Sequence, residues 1–348
     1  MSGMDYRKSG VDVREGERAV TLMKEAVRST FGPEVLSDLG HFGGLFRADF
    51  SGMREPVLVA STDGVGTKLK VASMMGRYDT VGRDLVNHCV DDILVQGARP
   101  LFFLDYIACG ELSAVTVARI VTGLADACRE NGCALLGGET AEMPGFYASG
   151  DYDVAGTIVG VVERDGIVDG SGIIPGDMLL GLRSTGLHTN GYTLARKVLF
   201  EMAGMDPGDT HPLLEGETVG DALLRVHKSY LGLVTPLLDE GLLKGLAHIT
   251  GGGIEGNLSR ILPAGCGAVV RLSWPVPGLF RLVRKLGGVS DSGMKEAFNL
   301  GIGMVLVVSP GNLDRVEKKL EELGGEFHRI GEVIPGSGVI FENEDGWE

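Results

Sequence analysis

The apolar run Val57-Leu58-Val59-Ala60 ends in Ser61-Thr62-Asp63-Gly64-Val65-Gly66-Thr67-Lys68. A strand of the buried type would therefore deliver a carboxylate, two glycines, hydroxyls and a lysine in quick succession. These residue types suit a metal–phosphate site. Asp63 can hold Mg²⁺, Gly64 and Gly66 let backbone N–H groups approach phosphate oxygens, and Lys68 supplies a point charge. Ser61, Thr62 and Thr67 add hydroxyls beside them. The spacing of a Walker A loop is absent. A common Gly-rich turn at a strand end is the plainer alternative.

A second apolar run, Cys133-Ala134-Leu135-Leu136, leads into Gly137-Gly138-Glu139-Thr140-Ala141-Glu142-Met143-Pro144-Gly145. A strand end here would set Glu139 beside a glycine turn, where a second carboxylate can converge on the same ion. The alternative is a surface turn with Glu139 and Glu142 solvated. Asp92 is the third candidate. On a helix over 79–97, Leu85, Val86, Cys89, Val90 and Ile93 form one apolar stripe; Asp92 falls at its margin and Asp91 points away. A carboxylate at a buried margin needs a partner, and a metal is a good one, whereas Asp91 reads as a solvated charge. Asp105, inside the apolar strand 101–108, is a fourth acidic candidate, with a hydrogen-bonded structural aspartate as the alternative.

The elements that must position these groups follow from periodicity. Asp12 can cap a helix carrying the stripe Ala19, Leu22, Met23, Ala26, Val27 and Thr30. Strands are expected over 57–61, 101–108, 133–137 and 152–163, with helices over 68–76, 79–97 and 113–131. Residues 164–172 read as a linker, dividing a domain over 1–169 from one over 170–348. The second alternates strands near 178–183, 246–250, 267–273, 302–309, 326–334 and 338–342 with helices near 192–203, 219–240, 256–262, 278–287 and 311–324. The mixed order argues for α+β domains rather than one doubly wound sheet.

Two loops of the second half carry further chemistry. Ser184-Thr185-Gly186-Leu187-His188-Thr189-Asn190-Gly191-Tyr192 places hydroxyls, an imidazole and an amide before a helix, as for an anion or sugar hydroxyls. An elaborate N-cap is the alternative. His248-Ile249-Thr250-Gly251-Gly252-Gly253 also opens a helix, and 251–256 satisfy Gly-x-Gly-x-x-Gly. The Rossmann reading fails, because no acid occurs between Glu255 and Asp291 to hold a ribose. A monophosphate on Gly251, Gly252 and Gly253 is the better fit.

Composition sets bounds. Glycine makes up 55 of 348 residues, about twice the usual ~7%, and clusters at strand ends, which suggests backbone close to ligands. A net charge of −15 with no basic run argues against nucleic-acid binding. The five cysteines form no Cys-x-x-Cys pair and read as buried reduced thiols of a cytoplasmic protein. No apolar run approaches a membrane span.

The ordered set of motifs is similar to the phosphoribosylformylglycinamidine cyclo-ligase family. It comprises Tyr6 with Gly10-Val11-Asp12, Asp63 through Lys68, Val95-Gln96-Gly97-Ala98 with 101–106, Gly137 through Gly145, Gly186-Leu187-His188 with Asn190-Gly191-Tyr192, His248 through Gly253, and Phe298-Asn299 with 301–304. The resemblance covers essentially the whole chain. It implies an N-terminal α+β domain whose strands complete a barrel with a second subunit, a C-terminal α/β domain with a mixed sheet, and a homodimer. It further implies ATP and Mg²⁺ as cofactors and formylglycinamidine ribonucleotide as substrate. ATP would phosphorylate the formyl amide oxygen, and the amidine nitrogen would then close the ring as phosphate leaves. Asp63, Asp92 and Glu139 would hold the metal, with Gly64, Gly66, Thr67, Lys68 and Asp105 about the nucleotide. Ser61, Thr62, His188, Asn190 and Gly251 to Gly253 would hold the substrate. Lys68, His188 and His248 are the candidates for charge or proton transfer; hydrogen bonding to substrate is the favoured role for the two imidazoles. Relatives with the same ATP-site architecture, such as thiamine-phosphate kinase, and a nucleotide-binding regulator without turnover are the competing readings. The chain departs from the family pattern at Arg7-Lys8-Ser9, at His88 where methionine is common, at Asp91, and at Lys295-Glu296-Ala297.

Overall fold

The computed structural model describes residues 10–342 and Trp347. Tyr6, Arg7, Lys8 and Ser9 lie outside the described residues. The chain forms two compact units, Met1–Ile93 with Arg99–Val161, and Leu94–Ala98 with Val162–Glu348.

In the first unit Asp12 caps α1 (Val13–Arg28), its carboxylate accepting the Arg14 N–H. The stripe expected on this helix is only partly buried: Ala19 and Val27 lie inside, whereas Leu22 is exposed. Four strands, β1 (Pro56–Gly64), β2 (Arg99–Cys109), β3 (Ala134–Glu142) and β4 (Tyr152–Glu163), form one sheet in the order β1-β4-β2-β3. β2 runs antiparallel to β4 and parallel to β3. β1 is an edge strand with strictly alternating burial over Pro56–Thr62, not the wholly buried strand its apolar run suggested. Residues 137–142, expected as a glycine turn, continue β3, with Gly138 paired to Asp105 and Glu139 to Tyr106. Hydrogen bonding to β2 overrides local turn propensity there.

Helices α2 (Lys68–Met75), α3 (Asp79–Leu94) and α4 (Ala114–Glu130) complete this unit. α3 and α4 approach so closely that a Cβ at Gly82 would strike the Ile120 carbonyl, and one at Gly123 the Asp79 carbonyl. α3 is consequently buried almost all round, including Asp84, Asn87, His88 and Asp91. The expectation that Asp91 is solvated is therefore wrong: the amphipathic projection located the apolar stripe correctly but assumed that the opposite side meets water. Lys68 is also fully buried, its ammonium 2.7 Å from Asp84 Oδ2. Burial pulls this lysine below its ordinary range, and Asp84 opposes that pull.

The second unit is built on a six-stranded mixed sheet, which agrees with the α+β expectation. Its strands are β5 (Met178–Arg183), β6 (Leu243–His248), β7 (Cys266–Arg271), β8 (Ile302–Val308), β9 (Phe327–Pro335) and β10 (Val339–Glu342), in the order β10-β7-β9-β5-β8-β6. Among the described residues, only the β10–β7 pairing of this sheet is parallel. β8 is buried along its whole length, as its unbroken apolar run requires. The helices are α5 (Tyr192–Arg196), α6 (Val219–Leu223), α7 (Leu231–Asp239), α8 (Gly253–Leu258), α9 (Gly278–Gly287), α10 (Asp291–Ala297) and α11 (Leu313–Glu322). The single helix expected over 219–240 is thus broken into α6 and α7 by a strap, 224–230. Tyr230 anchors the strap, buried in the core with Leu180, Leu182, Val234 and Leu306 and donating its hydroxyl to the Arg183 carbonyl at 2.9 Å.

Removing one member of a fully buried ion pair strands the other, at a cost of about 3–5 kcal/mol. Lys68→Met is therefore expected to lower unfolding stability by that order, and Asp84→Leu in the same chain to recover part of the loss. Urea denaturation measures both; a Lys68→Met chain as stable as the parent would show that the pair does not hold α2 to α3.

Candidate active site

The end of β1 and the adjoining face of α3 bring three ionisable groups together. Asp63 Oδ1 accepts the Gly64 N–H at 2.6 Å, and Asp63 Oδ2 lies 2.7 Å from His88 Nε2. The same imidazole nitrogen is 3.8 Å from Asp92 Oδ2, which also accepts the Ser61 hydroxyl at 2.9 Å. One buried imidazole thus stands between two half-exposed carboxylates. Burial would raise the Asp63 carboxyl, but the hydrogen bond and charge of His88, with the Gly64 amide, outweigh it and hold Asp63 below its ordinary range. His88 shows the converse. Burial disfavours its charged form, yet the Asp63 hydrogen bond and the charges of Asp92, Asp63 and Asp84 hold it above its ordinary range. The donor set has the character a hard divalent ion needs: two carboxylates partly open to solvent that converge on one point.

Other expected members of this site lie elsewhere. Glu139 sits on β3, three strand spacings from β1, or roughly 14 Å at about 4.8 Å per strand. It cannot share an ion with Asp63 of the same chain. Asp105 on β2 is two spacings away, and burial pushes its carboxyl up to about 7, a poor setting for a metal ligand. Lys68, bound to Asp84 in the interior, presents no ammonium to a phosphate. Thr62 pairs with Thr157 of β4, hydroxyl to hydroxyl at 2.7 Å. Glu142 is structural: its two oxygens accept the Asp12 and Leu112 amides, both at 2.7 Å.

In the second unit, three segments meet around a group of imidazoles. The loop after β5 is braced by Asn299, whose side chain donates to the Gly186 carbonyl and accepts from the Gly301 N–H and the Ser184 hydroxyl. His188, in the left-handed region at φ 59°, is wholly buried, and its Nε2 accepts the Thr185 N–H at 3.3 Å. Its ring stacks on His227 of the strap with centroids 4.0 Å apart. His227 Nε2 in turn lies 3.1 Å from His248 Nε2, at the end of β6. A Cβ at residue 303 would strike the Tyr230 hydroxyl and the His188 ring, so Gly303 makes room for this group.

The glycines after His248 answer to packing as well. Gly252, at φ 92°, donates its N–H to the Glu296 carbonyl, and Gly253 donates to the Thr250 carbonyl, both at 3.1 Å. A Cβ at Gly253 would strike the Lys295 carbonyl. Two of the three amides expected to cradle a phosphate are therefore already bonded, and α8 is too short to add much of a dipole. By contrast, the buried Asn190 Nδ2 finds no acceptor among the described residues, and Asn190 Oδ1 faces Gly251 across the two loops.

Reasoning from sequence gave no site role to His88 or His227. His88 was legible in principle, four residues before Asp92 and so on the same helical face. His227 was not, because it lies in a segment read as helix.

Two family models match the chain: AIR synthase related protein, N-terminal domain, over residues 51–162, and its C-terminal domain over residues 175–342. The chain is 50% identical over 338 residues to a phosphoribosylformylglycinamidine cyclo-ligase of Alkaliphilus metalliredigens, spanning 97% of each. It is 51% identical over 336 residues to one of Desulfitobacterium hafniense, spanning 95% of this chain and 97% of the relative. The chain belongs to the phosphoribosylformylglycinamidine cyclo-ligase family. Solved structures with low identity share the fold. The hydrogenase maturation protein HypE of E. coli superposes with a TM-score of 0.67 at 22% identity, over 94% of this chain and 93% of that one. Thiamine-monophosphate kinase from Stenotrophomonas maltophilia gives 0.67 at 17% identity, over 93% and 96%.

The His88–Asp63 pair sets a pH window for stability. A raised imidazole contributes fully below its unfolded value, and the contribution fades as pH climbs through its folded value. A lowered carboxyl contributes above its unfolded value and loses that contribution as pH falls through its folded value. The pair therefore stabilises most between about pH 4 and 6.5. His88→Met is expected to melt lower than the parent near pH 5.5, with the gap narrowing by pH 9. A gap that is constant across this range would rule out the charged pair.

Proposed function

We propose that this chain closes the imidazole ring of aminoimidazole ribonucleotide, consuming ATP and formylglycinamidine ribonucleotide in purine biosynthesis. Identity of about one half to cyclo-ligases, along nearly the whole of both chains, carries this reading. ATP use is supported by the family and by a HypE structure in complex with ATP that shares the fold with a TM-score of 0.65.

The chemistry is balanced without a protein nucleophile. The formyl oxygen attacks the γ-phosphorus, a P–O bond to that oxygen forms, and ADP leaves. The amidine nitrogen then attacks the formyl carbon and loses its proton, and the C–O bond breaks with departure of phosphate. Phosphorylation matters because amide oxygen leaves poorly and phosphate leaves well. Positioning and charge neutralisation supply most of the catalysis in phosphoryl transfer.

Asp63 and Asp92 are the residues that would hold Mg²⁺, which when bound neutralises developing phosphate charge. Ser61 orients Asp92 through its hydroxyl, and the Gly64 amide orients Asp63. Lys68 acts at a distance, by fixing α2 against α3 beneath the site. Asn190 is the donor to substrate, since its buried amide nitrogen has no acceptor among the described residues. His188 and His248, turned toward His227, brace the substrate loops and do not serve as bases.

Assembly as a homodimer, through the open face and edges of the four-stranded sheet, fits the exposure of Leu58, Leu104 and Tyr106. Among the described residues no helix is long and apolar enough to cross a membrane, and all five cysteines are free and buried. We place the enzyme in the cytoplasm.

The deciding measurement is phosphate release from ATP, with and without formylglycinamidine ribonucleotide, alongside mass detection of the aminoimidazole product. Release that depends on substrate and matches product is expected. Release without substrate would point to a kinase-like relative, and nucleotide binding with no release to a regulator. Asp63→Asn is expected to reduce turnover on the order of 10²-fold; unchanged turnover would remove Asp63 from the metal site.

A further inference from the structure

We propose that His188, His227 and His248 form a binding site for one zinc-like divalent transition-metal ion. The three imidazoles come from three segments: the loop after β5, the strap between α6 and α7, and the end of β6. All three are buried, and one nitrogen from each lies within 4.8 Å of the others.

The geometry of the closest pair suits coordination. His227 Nε2 and His248 Nε2 face each other at 3.1 Å. Two neutral imidazole lone pairs cannot point at one another without a proton or a cation between them. Nitrogens bonded to one tetrahedral zinc ion at about 2.0–2.1 Å stand about 3.3 Å apart. The observed separation needs little change to admit the ion, which His248 would bind as its Nδ1–H tautomer, the proton now between the two nitrogens passing to Nδ1. The Thr189 hydroxyl lies 3.5 Å from His227 Nδ1, where it can accept that N–H and fix the Nε2 lone pair inward.

His188 is the third and weakest ligand. Its ring is held over His227 by a left-handed backbone that a non-glycine residue rarely adopts, and by the space left at Gly303. Binding the ion through Nε2 would cost it the long contact from the Thr185 amide. Three nitrogen donors favour zinc, nickel or copper over Mg²⁺, which prefers oxygen. The site would therefore discriminate against the ion proposed to accompany ATP. Its effect would be structural, clipping the strap to the two loops, and ring closure does not require it.

The test uses the full-length, tag-free chain stripped with chelator, titrated with Zn²⁺ and with Co²⁺ as a spectroscopic probe. One equivalent per chain is expected, with the intense visible absorption of four-coordinate Co²⁺, a raised melting temperature, and no displacement by a thousandfold excess of Mg²⁺. His227→Asn is expected to weaken binding at least ~100-fold. Failure of the folded parent chain to take up either ion would overturn the proposal whatever the variants do, as would undiminished binding in His227→Asn or displacement by Mg²⁺. Because uptake and spectrum are read without substrate, these results are independent of whether the chain closes the imidazole ring.

Discussion

Charge that is taken out of water must be matched, and α3 imposes this condition on the whole first unit. It carries Asp84, His88, Asp91 and Asp92 through a region packed on nearly every side. Asp84 is matched by Lys68 from α2, and His88 by Asp63 from β1, so one helix ties its neighbours into register by ion pairs. Such pairs add little net stability over apolar packing, yet they are costly to half-remove, which makes them devices of placement. What they place is the pair of carboxylates at the end of β1.

The second unit solves its packing differently. Its glycines let backbone meet backbone or ring at contacts that a single Cβ would prevent, as at Gly253 against the Lys295 carbonyl and at Gly303 beneath His188. The result is a set of loops stiffened by their own hydrogen bonds, with Asn299 and Asn257 acting as small hubs. Asn257 Nδ2 alone donates to the carbonyls of Thr250, Gly251 and Gly253. Rigid loops of this kind hold a few side chains for a ligand while leaving little backbone for it. The buried, unanswered amide of Asn190 fits that division of labour.

Much was legible from the residues alone. Most strands, the two-domain α+β organisation and the family followed from motifs and periodicity, and Asp63 with Asp92 stands out in the residues themselves, whereas α10 goes unread in the pattern and 219–240 reads as one helix. The misreadings share a physical cause. Local pattern says which residues prefer to be apolar neighbours, but not what lies on the far side of an element. Hence Asp91 was read as solvated, Lys68 as a phosphate ligand and 137–142 as a turn.

Residue types and short-range spacing act within one turn of helix or one strand, so the sequence by itself determined most strands, the carboxylate at the end of β1 and the cap at Asp12. Convergence between distant segments depends on strand order and on where a helix breaks, and only the tertiary structure decided it. The order β1-β4-β2-β3 removed Glu139 from the company of Asp63. The break between α6 and α7 carried His227 from a supposed helix face to the centre of an imidazole cluster. Both outcomes turn on long-range packing energies that no window of a dozen residues contains.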